Sequence, residues 1–489
     1  MLAWVVGVLL AQQPDSDKAI AHFFDAITRL DEKDARAKLN DIAGDTAGAV
    51  QAVSDTYRRG VRMAKDLEKE EEKAARHLED VKVVMTKDGQ KGNVLDELRA
   101  REALDMIRAR RLLLDDFIPR VCATLAGARS KAARDAVLAR TTSAPDWYFR
   151  AHAVAAAAAF DGAEEALYEQ LLKESEAGVK VALLDALRPR AAKDRGFQDL
   201  CVELAKAPYW QVRVAALQVL RVAAPKSCVP TLIAAMEGAG GRMVYEINET
   251  LKSITSVNKN DHGGWKAWWE KNGEAFLAGS YVPHISDRAD NKGRSTFYGL
   301  PIHSTNLVFA IDFSSSMLTG SEWKPRPGGE PLAGDTRLDV ARHELKRVLK
   351  ELPGGTKFNV CAYNRLSTLY EDRLASLDDD GRKKAGKWLD TMKADSGTET
   401  YEAIRGLFDR HVGIWNAKLR SDAFDTVILL TDGEPTGRVQ TRSFFLEKMA
   451  DLGRFKKIAI HVIGIGAVGD PELLLRGIAE QSGGTYVRR

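Results

Sequence analysis

Short apolar runs alternate with helix-like segments over the C-terminal part of the chain, and this alternation restricts the possible folds more than any other feature. The runs are rich in Val and Ile and read NLVFAI, KFNVCAY, DTVILL and KIAIHVIGI. The segments between them, such as DVARHELKRVLKEL and TYEAIRGLFDRHV, carry apolar residues at helical spacing. Strands that alternate with helices form a parallel sheet covered by helices on both faces. We therefore predict a doubly wound, mainly parallel, Rossmann-like α/β domain over residues 304–489.

Side chains with oxygen ligands gather in three loops of this predicted domain. The first loop, DFSSS, directly follows the run NLVFAI, the second, SGTET, precedes a helix-like segment, and the third, LLTDGE, ends the run DTVILL. In such folds, ligands bind at the carboxyl ends of the strands. Oxygens of Asp, Ser and Thr suit magnesium or manganese and are poor ligands for zinc. The loops therefore indicate a site for a hard metal ion.

The motifs DFSSS, SGT and LLTDGEP, in this order and with helices between them, resemble the von Willebrand factor type A domain. The resemblance runs from about residue 303 to the last residue, where GGTYV is similar to the final strand of that fold. It implies a metal-ion-dependent adhesion site that binds Mg²⁺, or alternatively Mn²⁺ or Ca²⁺. Its ligands here would be Asp312, Ser314, Ser316, Thr398 and Asp432. The two serines would bind directly, and the two aspartates directly or through water.

The chain departs from that family pattern at two places. The middle residue of the first motif is often Gly and is Ser315 here; because that position supplies no ligand, we expect a modest effect. A long loop at residues 317–337 follows the motif, and we expect it to lie on the metal face and tune access of a partner. Trp323 in this loop is interpreted either as an exposed anchor or as a lid residue.

The ligand set predicts a binding module rather than an enzyme. Hydroxyl ligands are neutral, so the metal ion keeps much of its charge, and a Glu or Asp carboxylate of a protein partner can complete its coordination. We therefore expect a non-enzymatic, metal-dependent protein-binding scaffold. Three alternatives remain open: a metal that only joins three loops, an inert type A domain beside a binding solenoid, and a cytoplasmic chelatase-like or complex-assembly accessory subunit. The last would need a separate ATPase, because the chain has no P-loop motif.

Enzyme interpretations have little support. A serine nucleophile needs a nearby base, yet none of the nine histidines lies in the three loops. His461 lies within an apolar run, where a core histidine is expected. An aspartyl-phosphate enzyme would have a second acid where Ser314 stands. The run GIGAVG at 464–469 matches a dinucleotide-binding pattern, but too few residues follow it to complete such a domain.

The part of the chain before residue 279 reads as helical. A charged region at 18–140 predicts a long, solvated helical hairpin, and its basic run at 108–111 is offset by neighbouring acids. Residues 141–278 contain apolar-striped units of about 30 residues that resemble HEAT repeats, which pack as a solenoid. Trp265, Trp268 and Trp269 fall on one helical face and predict a capping core. The polar stretch 279–303 is the predicted linker.

The first residues, MLAWVVGVLLAQQ, resemble a secretory signal peptide with cleavage near Ala11. We therefore assign residues 1–17 to a signal peptide and the start of the mature chain, and expect export to the periplasm, the envelope or the exterior. A packed N-terminal helix is the alternative. We expect no transmembrane segment. The formal net charge of +3 gives no argument for nucleic-acid binding, and the four cysteines form no CxxC pair.

Overall fold

The computed structural model describes most of the chain, and the chain divides into two compact units, Met1–Leu187 and Arg188–Arg489. The boundary between the units falls inside the predicted repeat region 141–278. The cleavage site near Ala11, the loop residue Trp323 and the middle of the predicted linker lie outside the described residues. The described residues are 14–81, 84–86, 89–91, 93–144, 146–283, 295–321, 336–413, 419–433, 435–436, 439 and 441–489.

The first unit is helical. Two long helices, α3 (Ala47–Val81) and α4 (Val94–Ala123), pack against each other. They are joined by a hairpin of strands β1 (Val84–Thr86) and β2 (Gly89–Lys91). They form the helical hairpin expected from the charged segments, and Glu71 of α3 accepts hydrogen bonds from Arg108 (2.9 Å) and Arg111 (2.7 Å) of α4. The elements are α1 (Pro14–Thr28), α2 (Glu32–Ile42), α3 (Ala47–Val81), β1 (Val84–Thr86), β2 (Gly89–Lys91), α4 (Val94–Ala123), α5 (Lys131–Ser143), α6 (Trp147–Ala157), α7 (Glu164–Lys173) and α8 (Ala177–Ala186).

Close packing in this unit depends on a small residue under an aromatic ring. A Cβ placed on Gly178 of α8 would lie 2.1 Å from the Trp147 ring of α6, a distance at which atoms overlap. The glycine therefore lets the two helices approach each other. The segment is helical as expected, while its resemblance to HEAT repeats stays a prediction.

The second unit begins with five helices. The last of these five helices, His262–Ala278, carries the three tryptophans that were predicted to form a capping core. Trp265 is fully buried and Trp268 almost so. The Trp268 ring packs edge-to-face on Trp265, Phe276 and Tyr281, so these two tryptophans form a core as predicted, while Trp269 is half-buried. The helices are α9 (Arg195–Leu204), α10 (Trp210–Ala223), α11 (Val229–Ala235), α12 (Arg242–Thr255) and α13 (His262–Ala278).

The described part of this unit also contains a mixed sheet of seven strands that is covered by helices. The strand order is β11-β10-β9-β5-β6-β7, with β8 also paired to β6. Strands β5, β6, β9, β10 and β11 are parallel, whereas β7 and β8 pair antiparallel with β6. The strands are β5 (Asn306–Asp312), β6 (Lys357–Tyr363), β7 (Ser367–Leu369), β8 (Ala375–Ser376), β9 (Thr426–Thr431), β10 (Ala459–Gly464) and β11 (Tyr486–Arg488), after a separate pair β3 (Thr296–Phe297) and β4 (Leu300–Pro301).

Among the described residues, five helices connect these strands, and the predicted fold class is confirmed. Each of the four apolar runs forms a strand that is almost entirely buried, as expected for a sheet covered on both faces. No helix in the described residues is both long and apolar enough to cross a bilayer. The helices are α14 (Arg337–Glu351), α15 (Asp379–Thr391), α16 (Thr400–His411), α17 (Arg442–Gly453) and α18 (Asp470–Ser482).

Helices α10 and α12 contact the amino ends of the sheet strands. Arg242, the first residue of α12, is 6% exposed. Its guanidinium donates a hydrogen bond to the Asp425 carbonyl oxygen, just before β9. It donates a second one, of 2.7 Å, to the Lys457 carbonyl oxygen, just before β10. Gln211 of α10 donates to the Arg420 carbonyl at 3.0 Å. The carboxyl ends of the strands lie at the opposite edge of the sheet.

Candidate metal centre

The first motif begins at the last residue of β5. Asp312 is fully buried, and its carboxylate accepts hydrogen bonds from the Ser314 backbone N–H at 2.8 Å and the Thr431 hydroxyl at 2.6 Å. Burial raises the pKa of Asp312 to about 6, although these hydrogen bonds favour the ionised form. The carboxylate therefore fixes the turn after β5 from beneath.

A chain of oxygen atoms continues from this turn to the third loop. The Ser314 and Ser316 hydroxyl oxygens are 2.9 Å apart, and the Ser316 hydroxyl donates to Asp432 Oδ1 at 2.7 Å. Asp432 follows β9, which pairs with β5 in parallel register. The neighbouring strands therefore bring Asp312, Ser314, Ser316 and Asp432 to the same edge of the sheet, as predicted.

Thr398 reaches this edge through backbone contacts of its loop. The Asp395 backbone N–H donates to the Phe313 carbonyl at 3.0 Å, beside the first motif. The Thr398 N–H donates to the Thr436 hydroxyl at 2.7 Å, and the Thr436 N–H donates back to the Thr398 carbonyl at 3.1 Å. The second loop thus lies between the first and the third, and Thr398 is 5% exposed.

The oxygen spacing suits a small hard cation. An octahedral Mg²⁺ ion with bonds of 2.0–2.1 Å holds neighbouring ligand oxygens about 2.9 Å apart. The two oxygen pairs along Ser314, Ser316 and Asp432 are 2.9 and 2.7 Å apart. Within the described ranges, no group of three or more His, Cys, Asp or Glu is arranged to hold a metal. Of the five candidate ligands, Asp312 and Asp432 supply carboxylates, and Ser314, Ser316 and Thr398 supply hydroxyls.

Two residues of this edge were not identified from the sequence. Thr431 donates to Asp312, and the signal for it was available, because it ends β9 beside the last residues of β5. Arg337 donates from Nη1 to Asp432 Oδ2 at 2.7 Å. The loop that ends at Arg337 was expected to lie on the metal face, but the sequence did not single out Arg337, because its pairing with Asp432 depends on the tertiary fold.

The long loop after the first motif is closed at its base. The Arg337 backbone N–H donates to the Thr319 carbonyl at 2.9 Å, and Gly320 forms a β-bridge with Thr336. Both ends of the loop therefore lie beside the serines of the first motif. Residues 322–335, with Trp323, lie outside the described residues, so their expected role in partner access stays a prediction.

Two residues with potentially reactive side chains, His461 and Cys361, lie within strands of the sheet. The His461 ring Nδ1 accepts a hydrogen bond from the Thr485 backbone N–H at 3.0 Å, and burial lowers the pKa of His461 to about 4. The ring is thus a satisfied part of the sheet. Cys361 is buried, and burial raises the pKa of its thiol to about 12. Such a thiol is not a reactive nucleophile.

This fold and site define a class of protein: a doubly wound α/β domain with an oxygen-rich site at the carboxyl edge of its sheet. Comparison of sequences identifies a domain within the chain, because residues 330–488 match the model of the von Willebrand factor type A domain. The predicted type A domain is confirmed for these residues. The matched range contains Thr398 and Asp432 and begins after Ser316.

A curated relative resembles part of the chain. The human von Willebrand factor A domain-containing protein 3B is 22% identical over 196 residues, which cover 40% of this chain and 12% of that protein. The chain therefore spans about an eighth of the length of that relative.

Two solved structures are similar at lower identity. The BatB protein of Bacteroides thetaiotaomicron has a TM-score of 0.28 at 19% identity and covers 37% of this chain and 89% of its own. Proximal thread matrix protein 1 from the mussel byssus, solved with a zinc-occupied MIDAS motif, has a TM-score of 0.27 at 15% identity. The match covers 49% of this chain and 52% of that protein chain.

Proposed function

We propose that this chain is a non-enzymatic scaffold that binds an acidic group of a protein partner through a divalent metal ion on its type A domain. The ion, Mg²⁺ in the first instance, would be held by Asp312, Ser314, Ser316, Thr398 and Asp432. The observation that carries the proposal is the convergence of the Ser314, Ser316 and Asp432 oxygens from two loops at the carboxyl edge of the sheet, with Ser316 exposed to solvent.

The charge of the ligand set explains why such a site would bind acids. Two carboxylates cancel the charge of a dication only when both contact it, and Asp312 is buried beneath the turn and already accepts two hydrogen bonds. The exposed side of the ion would therefore stay electropositive. A carboxylate that replaces a bound water there gains both a bond to the metal and a favourable charge interaction.

Calorimetric titration of Mg²⁺ and Mn²⁺ into chelator-stripped protein tests the metal site. We expect one saturable site in the wild-type protein, and a loss of affinity of at least about tenfold, or 1.4 kcal/mol, in Ser316→Ala. Ser315→Ala is the matched control, because Ser315 is the adjacent exposed serine and supplies no ligand. No binding by the wild type, or equal loss in both variants, would refute the proposal.

The open coordination position needs a separate measurement. Bound Mn²⁺ enhances the relaxation of water protons, and a carboxylate that displaces its waters reduces this enhancement. We expect acetate to reduce it and acetamide, which has a similar shape and no charge, to have no effect. Equal effects of the two probes would show that the site does not select an acid.

The remaining chain would extend this scaffold. Helices α9–α13 share a compact unit with the sheet, and the contacts of α10 and α12 at the amino ends of the strands leave the carboxyl edge for a partner. We propose that the helical segments, with their HEAT-like sequence pattern, supply further binding surface, and that the protein acts outside the cytoplasm. Sequencing the mature N-terminus from an envelope fraction tests export, which predicts a start near residue 12.

A further inference from the structure

The second oxygen of the Asp432 carboxylate is occupied by a cation of the protein itself. Arg337 Nη1 donates to Asp432 Oδ2 at 2.7 Å, while the Ser316 hydroxyl donates to Oδ1. The Asp432 side chain is 0% exposed in this ion pair and the Arg337 side chain 26%. One carboxylate therefore faces the candidate metal ligands with one oxygen and a guanidinium with the other.

The Arg337 guanidinium lies in a slot beside Gly466, where the absence of a side chain leaves room for it. Gly466 has a φ of +67°, and a Cβ on it would lie 2.8 Å from Arg337 Nη2. A glycine here thus provides both the left-handed backbone and the room for the guanidinium. The Arg337 backbone is fixed as well, since it begins α14 directly after the N-cap residue Thr336, which forms a capping box with Asp339. The glycine run considered as a nucleotide motif therefore has a structural role beside the metal site.

We propose that Arg337 determines the specificity of the site: it lowers the affinity for the metal ion and raises the affinity for an acidic group of a partner. This inference rests on the proposed metal-dependent function. With a dication bound, the two aspartates of the ligand set balance its charge at most, and Arg337 adds a positive charge beside them. The guanidinium repels the incoming dication and attracts the carboxylate that binds to it.

The two effects have opposite signs, which separates them from a purely structural role. If Arg337 only held Asp432 in place, its loss would weaken binding of the metal and, with it, of the acid. If it acts through charge, its loss tightens metal binding and weakens acid binding. Asp432 keeps the hydrogen bond from Ser316 in either case.

Water-proton relaxation of the Mn²⁺-loaded full chain tests the proposal, with acetate as the acidic probe. For Arg337→Gln we expect the dissociation constant of Mn²⁺ to fall by about threefold to tenfold and that of acetate to rise by a similar factor, as for a charge a few ångströms away in a partly exposed site. Arg337→Lys keeps the charge, so both constants should stay within about threefold of wild type. Arg442→Gln is the matched control, because it removes an exposed arginine paired with Asp470.

A second variant tests the slot without a change in net charge. Gly466→Ala would push the guanidinium away from Asp432, and both constants should move in the same directions as in Arg337→Gln. Absence of Mn²⁺ binding by the wild type would refute the proposed function itself. Normal wild-type binding, with both constants unchanged or both weakened in Arg337→Gln, would overturn only the role of Arg337.

Discussion

The hydrogen bond between Thr431 and Asp312 can be removed with little change of shape. Thr431→Val replaces a fully buried hydroxyl that donates to Asp312 at 2.6 Å. At pH 8 Asp312 is ionised, because its pKa is about 6, and loss of a hydrogen bond to a charged group should lower the free energy of unfolding by about 1.5–3 kcal/mol. At pH 5 the carboxyl is protonated, and the loss should be only about 0.5–1.5 kcal/mol.

The direction of this pH dependence follows from linkage. Removal of a donor that favours the ionised carboxylate raises the pKa of Asp312 further in the folded state. The folded variant then binds a proton more readily than the folded wild type, so its relative stability falls as the pH rises through about 6. Urea denaturation at pH 5 and pH 8 measures the two differences.

The same strand offers a matched control at its other end. The Thr426 hydroxyl donates to Asp425 at 2.7 Å, and burial raises the pKa of that carboxyl too. Thr426→Val should therefore destabilise the protein to a similar degree and leave Mg²⁺ affinity unchanged. Thr431→Val should weaken Mg²⁺ binding by about tenfold or more, as expected for loss of a group that orients a ligand. Equal Mg²⁺ affinities of the two variants, or equal destabilisation of Thr431→Val at both pH values, would refute this reasoning.

Three other predictions concern the metal edge and the buried charges. Mg²⁺ at about 100 times its dissociation constant should raise the free energy of unfolding by about 2.7 kcal/mol, and thermal denaturation should show that Asp432→Asn loses most of this gain. Burial lowers the pKa of Lys456 from its ordinary value of 10.5 to about 7, so the unfolded chain binds more protons between these values and stability should rise with pH across that window. Lys456→Met should remove this slope and be more stable than wild type at pH 7 in urea denaturation at several pH values. Arg242→Met should lower the free energy of unfolding by about 1.5–3 kcal/mol, because it removes one of the two ion-pair partners of the buried Glu246, and a neutral effect in the same assay would contradict that.

The strands at the centre of the sheet were predictable because burial on both faces requires an uninterrupted apolar run. Strands β5, β6, β9 and β10 all show such a run, and each forms where the sequence indicated. The antiparallel strands β7 and β8 were not predicted. They have three and two residues, too few for alternation to show, and their pairing depends on the edge that β6 presents.

For the candidate site as well, contacts between residues close in sequence could be predicted, whereas a contact that depends on the tertiary fold could not. Asp312, Ser314 and Ser316 lie on one turn, so the spacing of the motif was enough to place them together. Asp432 could be added because parallel strands end at one edge. The pairing of Arg337 with Asp432 could not be predicted, since it requires the path of the chain after residue 321 and the room beside Gly466.

Because Arg242 contacts the amino ends of the sheet strands, the compact unit of the structure begins earlier in the chain than the domain that was predicted from the sequence. A protein fragment cloned from residue 304 would keep every candidate metal ligand, yet it would lose the guanidinium that caps the carbonyls of Asp425 and Lys457. A fragment that begins at Arg188 keeps the whole compact unit. For the same reason, we expect the two pieces of a chain cut by a protease between residues 283 and 295 to stay associated, held through α10 and α12.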